Sequence, residues 1–132
     1  MDFMKTFEFT VTVTKEDLDE LNHVNNIRYI QWIQDIAKAH WQQIATEDIY
    51  KAYFWVVRKH LVDYKASAHL YDEVKITTQF IDAQGATAKS IIEMHNNSTQ
   101  KLLLKAETTW CLMAVQTKRP TRVTKEIDAI LN

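Results

Sequence analysis

A dense group of acidic, amide and histidine side chains precedes a long apolar stretch of the chain. The group consists of Asp17, Asp19, Glu20, Asn22, His23, Asn25 and Asn26. A carboxylate can attack a carbonyl carbon or activate a water molecule, and histidine is the side-chain type that exchanges protons near neutral pH. These residue types could therefore carry out acyl transfer or hydrolysis if they lie beside a group that stabilises an oxyanion.

The apolar residues that follow this group predict a helix from about Asn26 to Ile44, because they recur every three to four positions. A helix start leaves backbone N–H groups unpaired and carries a partial positive charge, so it can stabilise a carbonyl oxygen that becomes negative. Asn and Asp are also ordinary helix caps, and composition alone favours that structural role. The apolar arc is broad, which indicates that a curved surface wraps around the helix.

Alternation of apolar and polar residues predicts the strands of a sheet. Strands are expected in "KTFEFTVTVT", in "FWVVRKHLVDYKAS", and in three later stretches that begin at residues 73, 88 and 102. The last three should form a meander, with Gly85 supplying positive φ in the first turn. Thr46 and Thr124 can each cap a short helix. The sequence thus predicts one α+β domain over residues 1–132, with a largely antiparallel five-stranded sheet around one long helix.

Composition restricts the possible partners. The 132 residues carry a formal net charge of -1, so no global field favours nucleic acid or an anionic membrane. The single cysteine, Cys111, and a start without a secretory pattern predict a cytoplasmic protein, and no apolar run is long enough for a membrane span.

Motifs for several other reactions are absent from the sequence. It has no G-x-S-x-G elbow, no phosphate-binding Gly-rich loop and no H-E-x-x-H pair. The five histidines are scattered, which predicts no metal site, and His40 and His60 are expected at the core edge or surface. Lys118, Arg119, Arg122 and Lys125 form a basic group that is either a solvated face or a phosphate contact.

The stretch "DLDELNHVNNIRYIQWI" resembles the helix-entry motif of hotdog-fold thioesterases. It is similar both to the 4-hydroxybenzoyl-CoA thioesterase-like group and to the plant acyl-ACP thioesterases, whose motif also contains H-V-N-N. This resemblance implies a hotdog fold, in which a curved antiparallel sheet wraps a central helix. It also implies hydrolysis of an acyl thioester, either acyl-CoA or acyl-ACP, to the free acid and thiol.

The resemblance also implies roles for individual residues. The acidic residue ten positions before an aromatic one corresponds to Asp19 before Tyr29, which makes Asp19 the nucleophile or general base. The Asn26 amide would polarise the carbonyl oxygen, and His23 matches the histidine of the plant-type motif. Residues implied in substrate binding are Asn22, Asn25, Tyr29, Arg58, Lys59 and Ser67.

The chain departs from the plant-type motif at two positions. Leu21 stands where that motif has an asparagine, and a further carboxylate on the strand after the helix falls near Ser67. The proton path therefore cannot be transferred from the family.

Family members are dimers or dimers of dimers with active sites between subunits, so the same assembly is expected here. No cofactor is implied beyond coenzyme A as part of the substrate, whose phosphates Arg58 and Lys59 or the basic group at 118–125 could hold. Two other functions remain open: a non-catalytic acyl-binding protein of the same fold, and a hotdog dehydratase or hydratase.

Overall fold

The computed structural model describes residues 6–132, and its helices and strands follow the predicted order. The strands are β1 (Phe7–Thr12), β2 (Tyr53–Tyr64), β3 (Glu73–Gln84), β4 (Thr87–Asn96) and β5 (Leu102–Ala114). The helices are α1 (Asn26–Ile44), α2 (Glu47–Ala52) and α3 (Lys125–Leu131), and a single 3₁₀ turn spans Lys15–Asp17. Lys5, with which the first predicted strand segment begins, lies outside the described residues.

The five strands form one antiparallel sheet in the order β1-β3-β4-β5-β2. The predicted meander of β3, β4 and β5 is confirmed, and Gly85 has a φ of 59° in its first turn. Register shifts interrupt three of the four strand pairings. Such bulges bend strands and increase their twist, which lets the sheet curve around a helix.

Helix α1 packs against one face of this sheet. Its buried residues are Tyr29, Trp32, Ile33, Ile36, His40 and Trp41. The first four share a buried cluster with inward-facing strand residues such as Ile76, Ile92 and Leu104, each at most 1% exposed, and Trp41 joins a second cluster with Phe80 and Trp110. Burial of one such side chain contributes about 1.5–3 kcal/mol to the free energy of unfolding, so this face fixes the position of the helix. Ile27, which the periodicity placed on the apolar arc, is instead 76% exposed in the first turn.

The second strand ends earlier than predicted, at Tyr64 rather than Ser67. The amides of Lys65 and Ala66 both donate to the carbonyl oxygen of Leu103, at 2.8 and 3.1 Å. A regular antiparallel ladder gives each carbonyl a single amide partner, so the shared acceptor ends the pairing. Residues 65–72 therefore form a connecting loop to β3.

His40 lies between helix and sheet, and His60 contacts the neighbouring strand β5. His40 is 3% exposed and its ring stacks between Phe7 and Phe80, at centroid distances of 5.2 and 5.6 Å. His60 is half-buried, its Nδ1 lies 2.9 Å from the Thr108 Oγ1, and burial lowers its pKa. Both histidines therefore have structural contacts, and His40 lies deeper in the core than expected.

Candidate active site

The start of α1 leaves one backbone amide at the surface without a partner. Asn25 is the N-cap, and its side-chain oxygen accepts a hydrogen bond from the Ile27 amide at 3.1 Å. The amide of Asn26 makes no hydrogen bond with any residue in 6–132, and Asn26 is exposed. This N–H, at the positive end of the helix, can receive an oxygen that gains negative charge.

Asp19 lies in the turn that leads into the helix. Its Oδ1 accepts hydrogen bonds from the amides of Leu21 and His23, at 2.9 and 3.2 Å, and its own amide donates to the His23 carbonyl at 2.8 Å. Asn22 takes a φ of 62° in this turn, which asparagine tolerates better than most residues. Oδ2 of Asp19 has no partner among the described residues, and the side chain is half-buried. One carboxylate oxygen is thus held by the loop while the other is available.

Asp17 has a different environment although it is only two residues away. It is 8% exposed, its Oδ2 accepts from the Thr14 amide at 2.8 Å, and its Oδ1 lies 2.8 Å from the Arg28 Nε. Its carbonyl accepts the Asn25 amide at 2.8 Å. These contacts join the 3₁₀ turn to the first turn of α1, so Asp17 has a structural role.

The loop 65–72 lies beside this turn. The Ala68 carbonyl accepts the Val24 amide at 3.1 Å, and the Ala68 amide donates to the Tyr29 hydroxyl at 2.9 Å. Tyr29 is 2% exposed, and its burial raises the pKa of the hydroxyl. The ring of His69 contacts that of His23 at a centroid distance of 5.2 Å, nearly perpendicular to it. Tyr29 thus anchors a loop that brings a second imidazole to the site.

The structure places the predicted site residues in two separate regions. Asp19, Asn22, His23, Asn25 and Asn26 lie in the helix-entry turn, and Ser67 is exposed in the adjoining loop. Arg58 and Lys59 are exposed at the bulge of β2, with Lys59 opposite Thr109. Lys59 is five residues before the end of its strand, roughly 17 Å along the chain from that end. The basic pair is therefore not part of the helix-entry cluster.

Asn22, Asn25 and Tyr29 also have structural roles where they stand. Asn22 makes the turn, Asn25 caps the helix and the Tyr29 hydroxyl holds Ala68. Their predicted part in substrate binding stays a prediction. His69 and Asp72, which were not predicted as site residues, join the site from a distant part of the chain, and no local spacing could have indicated them.

A cavity of about 540 Å³ opens between α1 and the edge strand β2. Its sheet side and its α2 end are aromatic, with Tyr50, Tyr53, Phe54, Trp55, Phe80 and Trp110. Its helix side is formed by Gln31, Gln34, Asp35, Ala37, Lys38 and Trp41. Gln31 follows Asn26 by five residues, about 7.5 Å along the helix axis. A group bound at the helix start could therefore extend into this cavity.

The described residues form neither a metal site nor a membrane-spanning helix. Within residues 6–132, no three His, Cys, Asp or Glu side chains lie together as a metal site would require. None of the helices in that range has the length and apolar character of a membrane span.

Comparisons with known proteins agree on the fold. The family model of the thioesterase-like superfamily matches residues 13–131. No curated protein matches the chain in sequence. Among solved structures, a 1,4-dihydroxy-2-naphthoyl-CoA thioesterase from Synechocystis, Slr0204, is 15% identical with a TM-score of 0.82, covering 96% of both chains.

Two further structures are similar over most of the chain. The probable thioesterase YbaW from Escherichia coli is 20% identical with a TM-score of 0.79, covering 94% of this chain and 95% of that one. The hypothetical protein SAV2348 from Staphylococcus aureus, solved in complex with CoA, is 16% identical with a TM-score of 0.83, covering 98% of this chain and 84% of that one. At these identities the likeness establishes the hotdog fold.

Proposed function

The chain belongs to the thioesterase-like superfamily, and we propose that it hydrolyses acyl thioesters, with coenzyme A as the carrier. The observation that carries this proposal is the helix-entry turn. There the free oxygen of Asp19 and the unpaired Asn26 amide come from one short loop closed by its own hydrogen bonds. A carboxylate and a helix N–H are the groups needed to attack a carbonyl carbon and to stabilise its oxygen.

The proposed reaction consumes one water molecule for each thioester. The carbonyl oxygen accepts from the Asn26 amide, and Asp19 either removes a proton from water or attacks the carbonyl carbon itself. Collapse of the tetrahedral intermediate breaks the C–S bond, and the thiolate takes a proton from His23, the proposed donor.

In the general-base route, His23 regains a proton from the protonated Asp19. In the nucleophilic route, collapse leaves an acyl anhydride on Asp19, which one water molecule hydrolyses to the free acid and the Asp19 carboxylate, and the proton released restores His23. Label in the Asp19 carboxylate after a single turnover in ¹⁸O-labelled water identifies the nucleophilic route with water attack at the Asp19 carbonyl carbon, because the general-base route leaves Asp19 unlabelled.

The cavity beside β2 is the proposed site of the acyl group. Its aromatic wall offers apolar surface, and its volume lies within the usual range of about 300–1,000 Å³ for small-molecule sites. Trp55 lines the cavity, whereas Trp32, Ile33 and Ile36 of α1 are buried in the core. Arg58 and Lys59, exposed on the same strand as Trp55, are the proposed contacts for the phosphates of coenzyme A.

The test is a panel of acyl-CoA esters of graded length, with aliphatic and aromatic acyl groups, assayed by a reagent that detects free thiol. We expect thiol release with at least one class of ester, and we expect Trp55→Ala to change the order of preference within the panel. Ile81→Ala, at an exposed position on β3 outside the cavity, should leave that order unchanged.

Two other outcomes would contradict hydrolysis. Ester-induced thermal stabilisation without thiol release would identify a binding protein. Hydration of an enoyl-CoA without thiol release would identify a hydratase. An acyl-carrier-protein ester assayed beside the CoA esters determines which carrier is used.

We also propose that two copies of the chain associate through β2. Among residues 6–132 this strand ends the sheet order, so its outer edge carries backbone groups without a partner strand there, and its exposed apolar residues include Phe54, Val56 and Leu61. An exposed apolar edge strand favours pairing with another strand, and a twofold axis would satisfy both edges.

The double variant Val56→Lys/Leu61→Lys should convert a dimer into a monomer, because it places charges on the paired surface. Light scattering coupled to size-exclusion chromatography measures the mass directly. Ile81→Lys, a matched change on β3, should remain dimeric. A wild-type mass equal to one chain of 15.5 kDa would refute the association.

A further inference from the structure

We propose that His69 is a positioning residue for His23. It would hold the imidazole of His23 in one orientation beside Asp19 and the start of α1. The proposal rests on the proposed thioester hydrolysis for its effect on activity. The contact between the two rings can be tested without any substrate.

Three hydrogen bonds, two at Ala68 and one at Tyr71, attach the loop that carries His69 to the rest of the domain. Ala68 bonds both Val24 and the Tyr29 hydroxyl through its backbone, at 3.1 and 2.9 Å. At the other end of the loop, the Tyr71 amide donates to the Val13 carbonyl at 3.0 Å. His69 lies between these two attachments, so its backbone has little freedom to move relative to the helix-entry turn.

Asp72 fixes the backbone of His69 by hydrogen bonds within the loop. Its Oδ2 accepts from the His69 amide at 2.9 Å and lies 3.8 Å from the Nδ1 of the His69 ring. Its own amide donates to the His69 carbonyl at 3.0 Å, and its carbonyl accepts the Val13 amide at 2.9 Å. Asp72 therefore closes the turn around His69 and places a carboxylate close to its imidazole.

His23 depends on this neighbour for its side-chain orientation. Its ring makes no hydrogen bond or ion pair with any described residue, and its recorded ring contact is the perpendicular one with His69 at 5.2 Å. His23 is half-buried, whereas the side chain of His69 is 59% exposed. Without His69, the His23 imidazole would sample several rotamers, and the substrate would have to select one of them.

The experiment compares His69→Ala, which removes the ring, with His69→Phe, which keeps a ring of similar size but no titrating nitrogen. Loss of one aromatic contact, or of the ordering of one side chain, lowers a rate constant by about threefold to tenfold. We therefore expect His69→Ala to lower kcat by about that factor at nearly constant KM, and His69→Phe to retain most of the wild-type kcat. His95→Ala, which removes a histidine ring on β4 outside the helix-entry turn, is the control and should leave kcat unchanged.

A second measurement follows the ring protons of His23 by NMR in the substrate-free protein. His69→Ala should shift these resonances and His69→Phe should shift them less, because a neighbouring ring produces the shift. Unchanged His23 resonances in His69→Ala would overturn the proposal, as would equal kcat losses in the Ala and Phe variants. A wild-type protein that releases no thiol would contradict the proposed function instead, and the NMR comparison would still decide the ring contact.

Discussion

Replacement of Asp19 by Asn should abolish most thioester hydrolysis while the fold is retained. Asparagine keeps an oxygen that can accept from the Leu21 and His23 amides, which Oδ1 of Asp19 does now at 2.9 and 3.2 Å. It cannot act as a base or nucleophile, so we expect kcat to fall by about a hundredfold to ten-thousandfold. Steady-state kinetics with the preferred acyl-CoA measure the loss, and thermal unfolding measures the fold.

The neighbouring carboxylate provides the control for this variant. Glu20 is exposed and has no hydrogen bond or ion pair with the described residues, so Glu20→Gln removes one charge from the same turn without removing a contact. It should keep kcat within about threefold of the wild type, since screened surface charges change barriers little. An Asp19→Asn protein as active as Glu20→Gln would refute the role of Asp19.

Replacement of Asp17 by Ala should have the opposite effect, a loss of stability with activity retained. The change removes the acceptor of the Thr14 amide at 2.8 Å and the ion-pair partner of Arg28, also at 2.8 Å, while the Glu16 carbonyl stays 3.4 Å from the guanidinium. A polar group left unsatisfied in a part-buried site costs about 1–3 kcal/mol, and we expect a loss near the middle of that range because Arg28 retains access to water. Urea unfolding gives the value, and kcat measured well below the unfolding midpoint should stay within about threefold of wild type.

Asp63→Ala is the matched change at an exposed ion pair. Asp63 lies 2.8 Å from Lys65, but its side chain is 64% exposed, so the expected loss is below about 0.5 kcal/mol. A double-mutant cycle of Asp17→Ala with Arg28→Ala isolates the energy of that pair. A loss for Asp17→Ala no larger than that for Asp63→Ala would show that the buried aspartate does not hold the helix entry.

Local patterns in the sequence were sufficient for the elements themselves. The bounds of α1 agree with its apolar period, and the caps at Thr46 and Thr124 form with hydrogen bonds to the amides of Ile49 and Ile127. Helix periodicity and capping depend on residues within four positions of one another, so one sequence contains the whole signal. The predicted end of β2 was wrong by three residues, because the strand ends where two amides share the carbonyl of Leu103, which lies on another strand.

In the candidate site, too, the sequence indicated what depends on neighbouring residues and missed what depends on distant contacts. The resemblance to the helix-entry motif indicated Asp19, His23 and Asn26, and it could do so from a short stretch because the turn and the helix start that hold them are formed by adjacent residues. Their catalytic roles stay predictions. The motif spacing singled out Asp19, but it gave no sign of the structural role of Asp17, which depends on the contact with Arg28 and on burial.

The sequence by itself thus determined the order of elements, the long central helix and the polar turn at its start, all of which arise from short-range periodicity and capping. Only the tertiary structure decided the strand order β1-β3-β4-β5-β2, the aromatic cavity beside β2 and the contact of His69 with His23. These features join residues dozens of positions apart. Their geometry depends on which strands pair and how the sheet bends over the helix, and no local spacing encodes that arrangement.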